Sequence, residues 1–387
     1  MIEPDLRVFL IAGEPSGDRL GGALLAELKR SVSVAARGVG GADMLAEGLE
    51  PLFDMADLSV MGFMDVFAAL PRLLWRLGQV VRAALAFQPD AVVFIDNQVF
   101  SQMAAARLRR SGYRGAVFLF VAPSVWAWKP ERARSIAPLF DEVLAVLPFE
   151  PGVMAELGGP PTTYVGHPAE RLIGAGGARK DTGLVALLPG SRGGELRRHL
   201  PVFRDAVARL AGHPAITGFV MPTLPHLGAR LAAQTTGWAA PVDIVTASEA
   251  RRAAFAHAIA ALAGVGTITL ELAMMDVPMV GTYVPDWLQM RAYRRWGRPL
   301  VALPNIVLST PLVPEIAPGE GHAARVAEAV TRLIGDAAAC QAQRDGFARV
   351  RDQIVNGLPG TGRQSAAGRI LARTGRRIEM AGPQEPA

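Results

Sequence analysis

The strongest constraint on the fold is an alternation. Short, continuous apolar runs are each followed by a turn rich in Gly, Pro or Ser and then by a helix-length segment. Leu6–Ala12 is predicted as a buried strand, with a helix over Asp18–Arg30 after it. Ala91–Ile95 is a second strand, with a helix near Gln98–Arg110; Ala116–Val121 and Glu142–Leu147 are a third and a fourth. Runs that are apolar throughout and separated by helices belong in parallel sheets covered on both faces. The alternation restarts at Leu184–Leu188, with a helix near Glu195–Ala211 and strands at Ile216–Met221, Val242–Val245, Ala258–Ala263 and Met279–Tyr283.

Two restarts imply two α/β domains, each a doubly wound, Rossmann-like sheet, with ligands in a central cleft at the carboxyl ends of the strands. The expected domains are residues 1–173 and 181–339. The Gly-rich run Gly174–Lys180 reads as the linker. Gly321–Arg373 reads as helical, broken at Asn356–Gly360, with the helices of 340–375 expected to pack back on the first domain. Residues 376–387, frayed over Gly382–Ala387, form a flexible tail.

The chain has 387 residues, enough for two cores. Its net charge is +5, carried almost wholly by arginine, since Lys29, Lys129 and Lys180 are the only lysines. No basic stripe is interleaved with aromatics, so nucleic acid is not an expected partner. A mildly basic surface suits anionic substrates or an anionic membrane face. Cys340 is the only cysteine, which excludes an internal disulfide and a thiolate metal cluster and fits a reducing compartment. Met1–Arg7 lacks the pattern of a secretory signal, and no run of about 18 apolar residues is free of charges or breakers. A cytoplasmic location is expected, with no membrane span.

The loops after the strands are where chemistry is expected. Gly13–Asp18 has small residues, with Ser16 and Gly17 beside Glu14, that let a ligand approach a helix start. Ser16 or Asp18 equally serves as a helix cap. Asp96 stands at the tip of an apolar strand, where partial burial suits a general base; the competing reading is a cap for the next helix. In Ala122–Lys129, Ser124 and Trp126 belong to a two-tryptophan loop that either stacks on a sugar or acyl chain or packs an interface. Pro189–Glu195 joins a strand to a helix start. There Gly190 and Ser191 allow close backbone approach and Arg192 clamps phosphate oxygens. At Gly264–Glu271, Gly266 and Thr267 open a second helix, and Glu271, one turn on, is placed to hold ribose hydroxyls. Two anion-ready helix starts and a downstream acid suit a nucleoside diphosphate. Within Met61–Arg82, Phe63, Phe67, Leu70, Leu74, Leu77 and Val81 form one stripe, with Arg72, Arg76 and Gln79 opposite and Pro71 starting or kinking the helix. The stripe, with Trp75 beside it, reads either as core or as a membrane-facing surface.

With these loops in view, the sequence resembles the lipid-A-disaccharide synthase family, glycosyltransferases of GT-B type. The resemblance rests on Ile11–Asp18, Ala122–Trp128, Tyr164–Pro168, Leu188–Arg192, Gly266–Glu271 and Leu303–Ile306, in family order over most of the chain. It implies transfer from UDP-2,3-diacylglucosamine to 2,3-diacylglucosamine 1-phosphate, giving UDP and the β-1,6 disaccharide with inversion and without a metal or cofactor. Asp96 would then deprotonate the acceptor hydroxyl, Arg192 and the helix start at Thr267 would stabilise the leaving diphosphate, Glu271 would hold the ribose, and Asn305 would line the donor site. It further implies docking at the inner-membrane surface through Phe63, Phe67, Leu70, Leu74 and Trp75, and a homodimer formed through the C-terminal part. GT-B folds also host UDP-sugar 2-epimerases, and a non-catalytic UDP-sugar-binding relative is a third reading. The chain departs from the family pattern after Asp96, where Asn97-Gln98-Val99-Phe100-Ser101 replaces Ala-Pro-Asp-Phe-Asn, and at Val265, where a serine is usual. A glutamine usual soon after Pro314-Glu315 is also missing. These changes bear on the acceptor side.

Overall fold

The computed structural model describes residues 4–58, 63–175, 182–286, 290–291 and 300–375, with the side chains of 63–69 outside that description. They divide into two compact units, one of Met1–Pro168 with Asn356–Ala387, the other of Ala169–Val355. Most of the run Gly174–Lys180 and the whole of 376–387 lie outside the described residues.

The first unit is built on β1 (Leu6–Ala12), β2 (Val34–Val39), β3 (Glu50–Pro51), β4 (Ala91–Ile95), β5 (Ala116–Phe120), β6 (Glu142–Ala145) and β7 (Thr162–Tyr164). Between them run α1 (Pro15–Lys29), α2 (Ala42–Ala46), α3 (Phe63–Phe87), α4 (Gln98–Arg110), α5 (Glu131–Ile136) and α6 (Glu150–Glu156). The strands pair in parallel in the order β3-β2-β1-β4-β5-β6-β7. The two-residue period of a strand divides the core between the sheet faces. Phe9, Ile11, Val92, Phe94, Val117 and Leu119 pack with α3 and α4; Val8, Leu10, Val93, Ile95 and Phe118 pack with α1. Three strands, β2, β3 and β7, lack a clear signal in the sequence. β2 carries Arg37 and Gly38, and a Cβ at Gly38 would lie 1.8 Å from the Leu10 carbonyl oxygen, so only glycine fits beside β1.

The second unit repeats the plan with β8 (Leu184–Leu188), α7 (Gly193–Leu210), β9 (Gly218–Pro222), α8 (Gly228–Thr235), β10 (Val242–Val245) and α9 (Ser248–His257). Then come β11 (Ala258–Gly264), α10 (Thr267–Met274), β12 (Met279–Thr282) and β13 (Glu315–Ile316), with helices Leu303–Leu308, His322–Gly335 and Ala337–Asn356. Its order is β10-β9-β8-β11-β12-β13, again parallel. In both sheets the order reverses beside the first strand. That crevice is where open α/β sheets take ligands.

α3 differs from its expected form. It runs through Pro71 rather than starting there, and the apolar stripe splits along its length. Leu77 and Val81 are buried with Val80 and Ala84, whereas Leu70, Leu74 and Trp75 are exposed, Trp75 by 58%. Burial of the later turns offsets the cost of a proline in a helix interior. Phe63 and Phe67 belong to α3, but their side chains are outside the described residues. Arg76 does not face solvent opposite the stripe. It pairs with Asp57, donates to Gln79 Oε1 at 2.7 Å, and lies over the Phe53 and Trp75 rings. Among the described residues no helix is long and apolar enough to cross a membrane.

Of residues 340–375, those up to Val355 stay with the second unit. There the Gln343 amide holds both backbone groups of Met279, at 2.5 Å and 3.0 Å. Beyond Asn356 a hairpin of β14 (Gly357–Leu358) and β15 (Thr361–Gly362) leads to the helix Ala366–Arg373, which covers the first sheet on the α1 side. Ser365 caps that helix by accepting from Gly368 N at 2.8 Å and donates to Glu27 at 2.7 Å. Its arginines meet Glu142, wholly buried at the start of β6. Arg369 donates to the two carboxylate oxygens at 2.6 Å and 2.9 Å, Arg373 at 2.9 Å, and the Thr163 hydroxyl at 2.7 Å.

Burial alone would raise the Glu142 pKa, but the bonds from Arg369, Thr163 and Arg373 outweigh it and hold the carboxyl below its ordinary value. Removing one partner of a buried ion pair strands the other, so Arg369→Ala is expected to cost about 3 kcal/mol. Arg373→Ala should cost less, because it removes a single bond to Glu142. A depressed carboxylate pKa contributes stability above the ordinary glutamate range that is lost as pH falls through the lowered value. In urea titrations the gap between wild type and Arg369→Ala should therefore be full at neutral pH and close in acid.

Candidate active site

In the first unit, β1 and β4 pair so that Ala12 lies opposite Ile95, and the loops that follow leave the sheet side by side. Gly13 and Asp96 begin those loops. Asp96 is half-buried, and its backbone is left-handed at φ 55°, followed by Asn97 at 41°. Beside them, at the end of β5, Val121 has φ 78°. A left-handed β-branched residue is strained, and such strain persists where neighbours over-determine it. Here they do. The Asp96 N–H donates to Phe120 O at 2.9 Å, Ser101 Oγ donates to Asp96 O at 2.9 Å, Val121 N–H donates to Leu144 O at 2.9 Å, and Gln98 Nε2 donates to Val121 O at 3.1 Å. The N-cap position of α4 is Asn97, so Asp96 is not the cap of that helix. Asn97 instead lies over Gly13, where an added Cβ would be 2.5 Å from Nδ2. Two of the residues that depart from the family pattern, Asn97 and Gln98, thus tie together the ends of β1, β4 and β5.

The other expected residues of this unit separate into exposed and structural ones. Glu14 is the exposed N-cap residue of α1 and makes no side-chain cap; Ser16 is also exposed. Gly17 is buried where α1 crosses Ala12 and Ile95. Asp18 does not cap its own helix. It accepts from the N–H groups of Gly41, Asp43 and Met44 at 2.7, 3.0 and 3.1 Å and so caps α2. Ser124 is exposed and Trp126 half-buried, its ring edge-on to Phe149 at 5.5 Å. The Trp126 indole N–H points to Glu150 Oε1 at 3.4 Å, and Glu150 Oε2 accepts from Leu147 N–H at 2.9 Å. Burial pushes the Glu150 carboxyl up to about 7. Sequence reasoning passed over Glu150, although an acid just before Pro151 at a helix start is a recognisable signal. Burial also takes His167, in Tyr164–Pro168, down to about 4. Val99 and Met103 of α4 add exposed apolar surface that the stripe on α3 did not predict.

In the second unit, β8 and β11 pair with Leu188 opposite Ala263, so the loops at Pro189 and Gly264 are neighbours. Gly190 has φ 108°, a turn that glycine takes without penalty, and it sends Ser191 and Arg192 outward, both exposed. Arg192 is the N-cap residue of α7 and pairs with Glu195 at 3.3 Å. At an exposed site such a pair is weak, leaving the guanidinium available to an anion. Gly266 is the N-cap residue of α10, with open space where a Cβ would be. Thr267 is exposed at the first helical position and Glu271 is half-buried one turn on. The starts of α7 and α10 thus flank the crevice between β8 and β11, each presenting the positive end of a helix dipole.

Asn305 does not open toward this crevice. It is wholly buried, donates to Val313 O and Glu315 Oε1 at 2.8 Å and 2.7 Å, and accepts from Val313 N–H at 2.6 Å. Glu315 in turn accepts from the N–H groups of Val301 and Ala302 ahead of the helix Leu303–Leu308. Asn305 therefore shapes the edge of the second sheet from beneath. Among the described residues no group of three or more His, Cys, Asp or Glu is arranged to hold a metal ion.

Comparison with known proteins bears on the family and the fold. The model of the lipid-A-disaccharide synthetase family matches residues 8–357. The lipid-A-disaccharide synthase of Rhodopseudomonas palustris is 40% identical over 373 residues, covering 94% of each chain. Among solved structures, the glycotransferase of kitacinnamycin superposes with a TM-score of 0.59 at 16% identity, covering 95% of this chain and 98% of that one. The UDP-GlcNAc 2-epimerase of Neisseria meningitidis, bound to UDP-GlcNAc, does so with 0.56 at 10%, covering 90% and 98%. At such identities these two likenesses speak for the fold, which is GT-B. The chain belongs to the lipid-A-disaccharide synthetase family.

Proposed function

We propose that this glycosyltransferase joins UDP-2,3-diacylglucosamine to 2,3-diacylglucosamine 1-phosphate in lipid A biosynthesis, releasing UDP and the β-1,6-linked disaccharide 1-phosphate. The observation that carries the reading is Asp96, at the tip of β4 where the strand order reverses, on a backbone turned left-handed and held by Phe120 and Ser101. In this reading Asp96 takes the proton of the acceptor's 6-hydroxyl. The oxygen attacks C1 of the donor sugar from the face opposite the diphosphate, and the bond from C1 to the UDP oxygen breaks. One bond forms as the other breaks, so the configuration at C1 inverts. The electron pair leaves with UDP, whose charge meets Arg192 and the N–H groups that open α10 at Thr267, without a metal ion. Glu271 receives the ribose hydroxyls, and Gly190, Ser191 and Gly266 give the diphosphate room near the backbone. Glu14, Ser16, Gly17, Ser124 and Trp126 belong to the acceptor side.

Both substrates carry acyl chains, so the enzyme must work at a lipid surface. The exposed apolar side chains of α3, with Arg72 among them, suit a peripheral hold on an anionic inner-membrane face.

The direct test is to mix the protein with both acylated sugars and measure disaccharide and UDP; no product where a known enzyme of this type works would refute the reading. Asp96→Asn is expected to lower turnover by about a hundred- to ten-thousand-fold while UDP affinity and fold persist, because asparagine tolerates the left-handed turn. Full activity in that variant would remove Asp96 from catalysis. Arg192→Ala should weaken UDP binding by about 1.5–3 kcal/mol in calorimetry, the worth of a charge-assisted contact. Making Leu74 and Trp75 polar should reduce co-sedimentation with anionic vesicles; unchanged sedimentation would move the lipid contact elsewhere.

A further inference from the structure

His199 is buried in the second turn of α7, beneath the carboxyl ends of three strands. Its Nδ1 lies 2.6 Å from the carbonyl oxygen of Pro189, in the turn after β8, and its Nε2 lies 3.2 Å from the N–H of Val284, two residues after β12. A carbonyl can only accept and a backbone N–H can only donate. The two partners therefore fix one neutral tautomer, with the proton on Nδ1. Burial keeps the ring neutral by pushing its pKa below the ordinary histidine value, against opposing pulls from the Pro189 carbonyl and Glu195. The adjacent Arg198 completes the hold, its Nε donating to Val284 O at 2.8 Å. Both backbone groups of Val284 are thus held by successive side chains of one helix. The end of β11 is shaped to the same ring. A Cβ at Gly264 would stand 3.0 Å from both Cε1 and Nδ1 of His199. Val265 N–H donates to Thr282 O at 3.0 Å, joining the loops after β11 and β12 directly.

We propose that His199 is a positioning residue of the donor site, a clamp that sets the Pro189–Arg192 turn, the Gly264–Thr267 turn and the segment at Val284 at fixed spacing. The proposal rests on the UDP-sugar reading of those turns. His199 touches no substrate in it. Its effect is on where the backbone N–H groups of the diphosphate turn stand, and small displacements of such groups are felt in binding and turnover.

Three variants and three measurements test this. His199→Phe keeps an aromatic ring against Phe203, somewhat larger than imidazole, and loses both hydrogen bonds; His199→Asn keeps a donor for Pro189 O; Gly264→Ala presses on the ring without changing it. His199→Phe should weaken UDP binding about tenfold, the size of one or two lost hydrogen bonds. It should raise the donor KM more than it lowers kcat, with His199→Asn recovering part of the loss and Gly264→Ala reproducing part of it. Hydrogen exchange at the Val284 amide reads the clamp without any ligand: slow in wild type, fast in His199→Phe. If His199→Phe does not fold, His199→Asn and Gly264→Ala carry all three measurements. Folded variants that bind UDP as wild type does, or a Val284 amide equally protected with and without the imidazole, would overturn the proposal. Wild-type protein that binds no UDP would instead bring down the donor-site reading, and the positioning role with it, while the exchange arm still reports whether the clamp exists.

Discussion

The pairing of each sheet's first strand with its fourth is the constraint from which the rest follows. β1 against β4 and β8 against β11 are parallel ladders whose flanking strands run outward in opposite directions. The helices after the two central strands must diverge to opposite faces, and a crevice opens between the loops that precede them. The proposed base and the proposed diphosphate groups lie beside these two crevices: Asp96 and the Gly13 loop in one unit, Arg192 and Thr267 in the other. The hydrophobic strands supply the stability that lets those loops depart from relaxed geometry. Three left-handed non-glycine residues stand at adjacent strand ends in the first unit, and each has backbone or side-chain bonds that hold it there.

Much of this was legible in the sequence because burial on both sheet faces writes itself as continuous apolar runs. β1, β4, β8 and β10 begin and end where the pattern places them. The strands that escaped notice are short or interrupted: β3 has two residues, and β2 is broken by Arg37 and Gly38. Strand ends were overrun where apolar residues continue past the ladder. Val121 is as apolar as the strand before it, but its backbone turns away to receive Gln98.

Site residues were readable by type and not by partner. Helix-start glycines and a strand-end acid stand out in one dimension, whereas the use of a polar side chain depends on what packs against it. Asp18 looks like a cap and is one, but for a different helix. Asn305 lies in a family motif, yet its amide is spent on Val313 and Glu315. His199 carries no spacing signal because its partners are backbone groups brought by turns after two strands. The stripe on α3 has helical period throughout, but periodicity does not say where along a helix the cover ends.

The clamp on Glu142 has a consequence for how the molecule is made. Arg369 is 227 residues away along the chain, with the whole second unit between them. In a chain emerging from the ribosome, the first sheet is complete in its strands long before the segment that neutralises its buried carboxylate exists. The second unit, by contrast, is contiguous and closes on its own residues. Synthesis order and completion order are therefore inverted: the half made first is finished last. A break placed after Pro168 would divide the polypeptide without separating two self-sufficient pieces, because the amino-terminal fragment would lack the helix that covers its sheet and pairs with Glu142.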